Sequence, residues 1–228
     1  MKSLLRVVAC LSLCVSLNSL GALYDRGNGL IYDDALDITW LQDAKHLWHQ
    51  FIIEGALTTH WYQQYSPLNS DGQMTWAAAN LWVNNLDYGG FNNWRLPSIR
   101  DKQFSGYNIA SSELGYMFYE NLDNEAGQSI LSNSGLVITS ENGTVSSFTN
   151  VQDLPYWYSE LVEADSQYAW AFHAGVGLQR TFSTSSMAAI AWPVHDGDIG
   201  LAPVPLPAGI YLFLSGLVGL GLMRGRNG

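Results

Sequence analysis

The sequence predicts an α+β domain of short antiparallel strands with one or two main helices, followed by a C-terminal transmembrane helix. Three observations lead there. One capped stretch repeats its apolar residues at helical spacing, several short stretches alternate with period two, and an apolar run with a basic end closes the 228-residue chain.

Lys2 and Arg6 precede the apolar stretch 7–17, and small residues follow at Ser19, Gly21 and Ala22. That order predicts a secretory signal peptide over residues 1–22, cleaved after Gly21 or Ala22. Val7-Val8-Ala9-Cys10 looks superficially like a lipoprotein box but sits too near the terminus to leave an apolar region. The two cysteines, Cys10 and Cys14, fall inside the signal, so the mature chain is expected to have no disulfides and no thiol chemistry.

Residues 23–200 are the predicted domain. Asp25-Arg26-Gly27-Asn28-Gly29 reads as a turn, Leu30-Ile31-Tyr32 as a strand, Asp33-Asp34 as a turn and Ile38-Thr39-Trp40-Leu41 as a second strand, together an antiparallel hairpin. Residues 42–55 suit a helix with Leu47, Trp48 and Phe51 on one side, and residues 58–73 a long loop. Thr75 is placed as an N-cap, with Trp76, Ala79, Val83 and Leu86 at helical spacing until Gly89-Gly90. Asn92 to Pro97 reads as extended, because the residue before proline is pushed out of the α region. Ser98 and Asp101 have the spacing of a capping box, which predicts a second helix toward Phe104. Residues 113–122 suit a helical turn, and residues 124–150 a variable loop around Leu136-Val137-Ile138. Residues 156–158, 168–172 and 188–194 read as strands, with Gly175 and Gly177 turning one into the next.

Residues 201–228 form a tail of their own. Pro203, Pro205 and Pro207 lead into the uncharged run 208–223, and Arg224 and Arg226 follow. Sixteen helical residues span about 24 Å against a hydrocarbon core of about 30 Å, a short membrane helix whose basic end stays on the cytoplasmic side. The alternative, a core helix of a soluble domain, fits less well because no polar face exists.

Charge bounds the partners. Six of the ten Lys and Arg but all twenty Asp and Glu lie in residues 23–200, a formal charge of −14 for the body. Such a surface repels phosphate backbones, anionic lipids and sulfated glycans, so no nucleic-acid partner is expected. All nine Trp also lie in the body, which argues for a packed core or for aromatic platforms that meet a ligand.

The candidate ligand-binding residues are Trp94, Arg95, Tyr156, Trp157 and Tyr158. Trp94 stacks well on sugar faces and Arg95 offers a planar donor fork. The competing reading makes Trp94 and Leu96 core and pairs Arg95 with a carboxylate. In a strand, Trp157 faces opposite to Tyr156 and Tyr158, so at most one set is expected to be buried and the other face to form an aromatic platform. No cofactor is implied apart from calcium, for which Asp25, Asp33 and Asp34 are candidates, with Asn28, Asp37, Asp196 and Asp198 as further oxygen donors. Neither cluster has EF-hand spacing, and turn-forming aspartates are the alternative. His46, His49, Glu54 and His60 are a conceivable zinc set, although no His-Glu-x-x-His occurs. There is no Gly-x-Ser-x-Gly elbow and no phosphate loop, which argues against an enzyme; a carboxylate pair for glycoside cleavage remains open among so many acids. Asn142-Gly143-Thr144 matches a glycosylation sequon and also suits a plain turn.

Several motifs occur in a familiar order: Tyr24-Asp25, Gly29-Leu30-Ile31-Tyr32-Asp33, Thr39-Trp40, Thr75-Trp76-Ala77-Ala78-Ala79, Gly89-Gly90-Phe91 and Trp94-Arg95-Leu96-Pro97-Ser98. Glu113-Leu114-Gly115-Tyr116-Met117-Phe118, Tyr156-Trp157-Tyr158-Ser159, Ala169-Trp170-Ala171-Phe172 and Ala191-Trp192-Pro193-Val194 follow. Together they resemble the Lcl C-terminal domain family, named for the end domain of a Legionella collagen-like adhesin, over residues 24–198. No collagen-like Gly-X-Y tract accompanies them. The resemblance implies an irregular C-type-lectin-like fold and an exported binding or adhesive domain; the adhesin's association with sulfated glycosaminoglycans suits a body charge of −14 less well than neutral glycan or protein contacts do.

The tail resembles the VPLPA variety of PEP-CTERM sorting signals, carried by Val204, Pro205, Leu206, Pro207 and Ala208 with Arg224 and Arg226 after the apolar run. That implies an exosortase-type processing enzyme as partner, transient anchoring in the inner membrane of a Gram-negative bacterium, and delivery to the cell surface or extracellular matrix. The expectation is a non-catalytic, surface-displayed domain for glycan or matrix polymer. A secreted glycan-active hydrolase and a purely structural matrix protein are the alternatives.

Overall fold

In the computed structural model, which describes residues 22–52, 68–101, 103–132, 137–139 and 145–200, Asn28 and Gly29 both adopt positive φ, 52° and 79°. Two consecutive positive φ values make the tight turn whose twist matches a hairpin, which is why Asn-Gly sits there. The turn joins β1 (Leu23–Gly27) to β2 (Leu30–Asp33), and β3 (Ile38–Leu41) pairs antiparallel on the other side of β2. The expected turn at Asp25 to Gly29 is therefore too wide: Asp25 and Arg26 belong to β1, and only Asn28 and Gly29 turn.

Helix α1 spans His46–Ile52. It starts later than residue 42 because Gln42 and Ala44 bond the backbone of Thr149 instead, at 2.8 and 3.0 Å. Helix α2 spans Trp76–Asn84, and the Thr75 hydroxyl accepts from the Ala78 N–H as its spacing predicts. The helix stops before Gly89-Gly90. Asn85 turns its side chain back onto the Leu81 carbonyl, a local alternative to helical bonding, and the two glycines make a separate turn that pairs Tyr88 with Phe91.

Among the described residues no helix forms between Ser98 and Phe104. Ser98 and Ile99 run extended, held by the Glu113 N–H on the Ser98 carbonyl and by a bridge from Ile99 to Ser112, and burial of Ile99 in the core outweighs the capping-box signal. Helix α3 (Glu113–Tyr116), capped by Ser112, runs directly into a wider π-turn at Met117–Asn121. The segment expected to be a loop contains a short ribbon, β4 (Val137–Thr139) with β5 (Val145–Ser147).

A meander of β6 (Pro155–Val162), β7 (Asp165–His173) and β8 (Leu178–Ser183) forms the second large sheet. Strand β8 escapes a period-two reading because only Leu178 and Phe182 are apolar in it. Residues 188–196 then stitch the two sheets. Ile190 pairs with β6 through Trp157 N–H at 3.0 Å and the Pro155 carbonyl at 2.8 Å, Val194 pairs with Arg95, and β9 (Val194–Asp196) closes the first sheet in the order β1-β2-β3-β9. The fold is thus α+β, mostly antiparallel, with few helices. No helix among the described residues is long and apolar enough to cross a membrane, and the predicted span 208–223 lies outside them.

Two apolar clusters lie on opposite faces of the β6-β7-β8 sheet. Trp40, Phe148, Tyr156, Tyr158, Phe172 and Trp192 belong to one, and Leu41, Met74, Val83, Trp94 and Trp157 to the other. Trp192 centres the first, with ring centroids 5.0 Å from Trp40, 5.1 Å from Phe148 and 5.4 Å from Tyr156. Its indole N–H donates to the Leu41 carbonyl at 2.8 Å, and Trp157 does the same to Met74 at 3.0 Å, so these large side chains are buried with their polar atoms satisfied. Each such side chain contributes roughly 1.5–3 kcal/mol.

Candidate binding site

The β6 aromatics are not a platform. Tyr156, Trp157 and Tyr158 are each 0 % exposed, because the sheet carries an apolar cluster on both faces, so alternation along the strand sends every ring into one core or the other. The Tyr156 hydroxyl accepts from Gln152 N–H at 2.7 Å, and that of Tyr158 lies 2.7 Å from Ser112 Oγ. Burial pushes both phenols well above their usual range.

Trp94 is also core, 1 % exposed, with its N–H on the Phe91 carbonyl. Arg95 has both backbone groups paired with Val194 and its guanidinium committed to carboxylates: Nη1 and Nη2 reach Glu113 at 2.8 and 2.9 Å, and Nε and Nη2 reach Asp196 Oδ1 at 2.9 and 2.6 Å. Burial works against the charge, but the two carboxylates hold Arg95 protonated, above its ordinary value. Glu113, 1 % exposed, accepts a further bond from Ser98 N–H at 2.8 Å. This is the competing reading of Trp94-Arg95-Leu96-Pro97: the motif welds the extended segment to α3 and β9, and its donor fork is spent internally.

The aspartates proposed for calcium form no common ligand set. Asp25 accepts from Gly27 N–H at 2.7 Å, and Asp34 from Ala22 N–H at 2.6 Å and from the Tyr24 hydroxyl. Asp33 points inward onto Ala35 and Leu36 N–H and Asn121 Nδ2, where burial pushes its carboxyl up to about 6 despite those donors. Asp37 takes the Tyr32 hydroxyl and Asp198 the Arg26 guanidinium, while Asn28 sits at the tip of the hairpin turn. His46 and His49 both face the Asp43 carboxylate, which also holds Lys45 N–H and Asn150. Glu54 and His60 lie outside the described residues, as do the sorting-signal residues Val204, Pro205, Leu206, Pro207, Ala208, Arg224 and Arg226. Among the described residues no three His, Cys, Asp or Glu side chains converge to hold a metal ion.

A shallow depression of about 450 Å³ opens elsewhere, where the start of α2 meets the far end of the β6-β7-β8 sheet. Thr75, Trp76, Ala77, Leu161, Ser166, Thr184 and Ser185 line it. Its frame is fixed. Trp76 N–H donates to the Thr184 carbonyl at 3.2 Å, and its indole Nε1–H to the Tyr158 carbonyl at 2.9 Å, which sets the orientation of a partly buried ring. Both the N–H and the hydroxyl of Thr184 donate to the Gln167 carbonyl, at 2.9 and 3.1 Å. Ser185 Oγ lies 3.0 Å from Ser183 Oγ. Among the described residues the lining carries hydroxyls, an indole and apolar carbons and no ionisable group.

In the sequence Trp76 figures as an apolar helix position and as part of the Thr75-Trp76-Ala77-Ala78-Ala79 motif, not as a candidate binding residue. The signal that marks it is its place directly after the Thr75 cap, since a large aromatic in the first turn of a helix has no preceding turn to cover it. The Ser183-Thr184-Ser185-Ser186 run supplies the hydroxyls but has no partner visible in the sequence. Comparison with known proteins finds no family model, no curated protein and no solved structure that matches the chain.

Proposed function

We propose that the chain is an exported, surface-displayed binding domain that acts without catalysis on glycan or extracellular matrix polymer, and that an exosortase-type system delivers it. The observation that carries the reading is the Trp76 depression. A fixed indole beside four hydroxyl-bearing residues supplies contact area and hydrogen bonds, whereas among the described residues the lining has no carboxylate or imidazole to activate a nucleophile or move a proton. The charged residues of the Trp94-Arg95 motif support the same reading, because they are engaged with one another.

The ends of the chain supply the route. Residues 1–22 have the order of a signal peptide, the anionic, thiol-free body of residues 23–200 follows, and Val204-Pro205-Leu206-Pro207-Ala208 with the apolar run and Arg224 and Arg226 has the order of a sorting signal. Short strands, few helices and long irregular connections are compatible with the C-type-lectin-like arrangement that the Lcl resemblance implies.

Deleting residues 201–228 in the producing bacterium is expected to release the body into the periplasm or medium, read by fractionation and immunoblot. Surface retention equal to that of the full chain refutes the delivery reading. Turnover of a bound oligosaccharide by the purified chain refutes the non-catalytic one.

A further inference from the structure

We infer that the Trp76 depression takes an uncharged pyranose unit of a polysaccharide, which rests on the binding reading above and names its ligand class. A pyranose has an apolar face of C–H groups rimmed by hydroxyls. The C–H face suits the negative face of an indole, and the rim suits neutral donors and acceptors. The depression offers that combination: Trp76 and Leu161 supply the apolar surface, and Thr75, Ser166, Thr184 and Ser185 the hydroxyls.

The hydroxyls retain capacity for a ligand. Thr75 Oγ accepts from Ala78 N–H and still has a proton to donate, while the Thr184 hydroxyl donates to Gln167 and still has lone pairs to accept. These roles are held by backbone contacts within α2 and the sheet, so little side-chain freedom is lost on binding.

Charge excludes the nearest alternatives. Among the described residues no lysine or arginine lines the depression to pair a sulfate or uronate, and the body's formal charge of −14 adds a repulsive field to any polyanion. The depression is shallow, so it suits a unit presented by a chain rather than a small molecule to be enclosed. Its volume of about 450 Å³ lies within the roughly 300–1,000 Å³ of small-ligand sites.

The test uses the purified full chain on an array of uncharged hexose oligosaccharides alongside uronate-containing and sulfated ones. Ser166 and Ser185 are exposed, so Ser166→Leu and Ser185→Leu fill the depression without touching the core. The expected result is binding to an uncharged oligosaccharide that falls about tenfold or more in each variant, with unchanged melting temperature. Binding that survives both substitutions, or that is confined to the charged glycans, overturns the site and its ligand class while leaving a binding domain standing. An array with no bound glycan overturns both this assignment and the glycan-binding reading beneath it.

Discussion

Removing either partner of the Arg95–Glu113 pair should unmake much of this protein's stability, and the two removals should not add. Glu113 is 1 % exposed and accepts two bonds from Arg95 and one from Ser98 N–H, whereas the Arg95 side chain keeps 28 % of its surface and a second partner in Asp196. Arg95→Ala strands a carboxylate away from water, which typically costs about 3–5 kcal/mol. Glu113→Ala strands a cation that can still reach Asp196 and solvent, so its cost belongs near the lower end, with the Ser98 N–H left unpaired adding to it. The double variant leaves no uncompensated buried charge, since Asp196 is exposed, and should lose about 3 kcal/mol less than the sum of the singles. For a body of this size 1 kcal/mol moves the melting temperature by roughly 2–4 °C, so the singles should melt about 6–20 °C below the wild type.

Urea and thermal unfolding of the four proteins, followed by near-ultraviolet circular dichroism of the buried tryptophans, measures the cycle. Additive single effects or a Glu113→Ala loss under 1 kcal/mol would refute the assignment of this pair as the joint between the extended segment and α3.

Two further perturbations follow from the geometry, beside the deletion and array experiments above. Asp33, pushed up to about 6 by burial from an ordinary 3.8, binds its proton more tightly folded than unfolded; its stabilisation is complete below pH 3.8 and lost as pH rises through 6, by about 3 kcal/mol. Wild type should therefore lose about that much relative to Asp33→Asn between pH 4 and 7 in urea titrations, and a gain instead would refute it. At Gly115 an added Cβ would lie 1.9 Å from the Ile109 carbonyl oxygen, so Gly115→Ala should lower the unfolding free energy measured in urea by about 2–3 kcal/mol; Gly127→Ala, with open space around it but φ of +84°, should cost about 1 kcal/mol, and equal losses would refute the close approach.

Much of the local structure was legible because the signals are local. Thr75 caps the helix that its spacing predicts, and β2 and β3 pair as the hairpin that their apolar residues predict, whereas β1 went unseen because Asp25, Arg26 and Gly27 read as turn residues. The capping box at Ser98 misled because a core position for Ile99 and a carboxylate partner for Ser98 N–H outweigh a propensity of about 1 kcal/mol. Strand β8 stayed hidden because its most buried side chain, Gln179, is polar, and its apolar Leu178 and Phe182 share a face with exposed Arg180. The site stayed hidden for another reason: Trp76 and Thr184 are more than a hundred residues apart, and only their backbone bond reveals them as neighbours.

By itself the sequence determined charge, the apolar ends, the absence of thiols from the body and the elements whose caps and turns depend on a few consecutive residues. Tertiary structure decided which side of each element meets water. The alternation of Tyr156, Trp157 and Tyr158 states that neighbours point opposite ways, but whether either side is open depends on what packs there, and here segments near residues 40, 74, 94 and 192 cover both. Likewise Arg95 is a donor fork in any context; that it serves the fold rather than a ligand follows from Glu113 and Asp196, 18 and 101 residues away, arriving within hydrogen-bond reach. Burial and pairing at such separations are properties of the closed chain, because they require loops to bring distant residues together before any contact energy is gained.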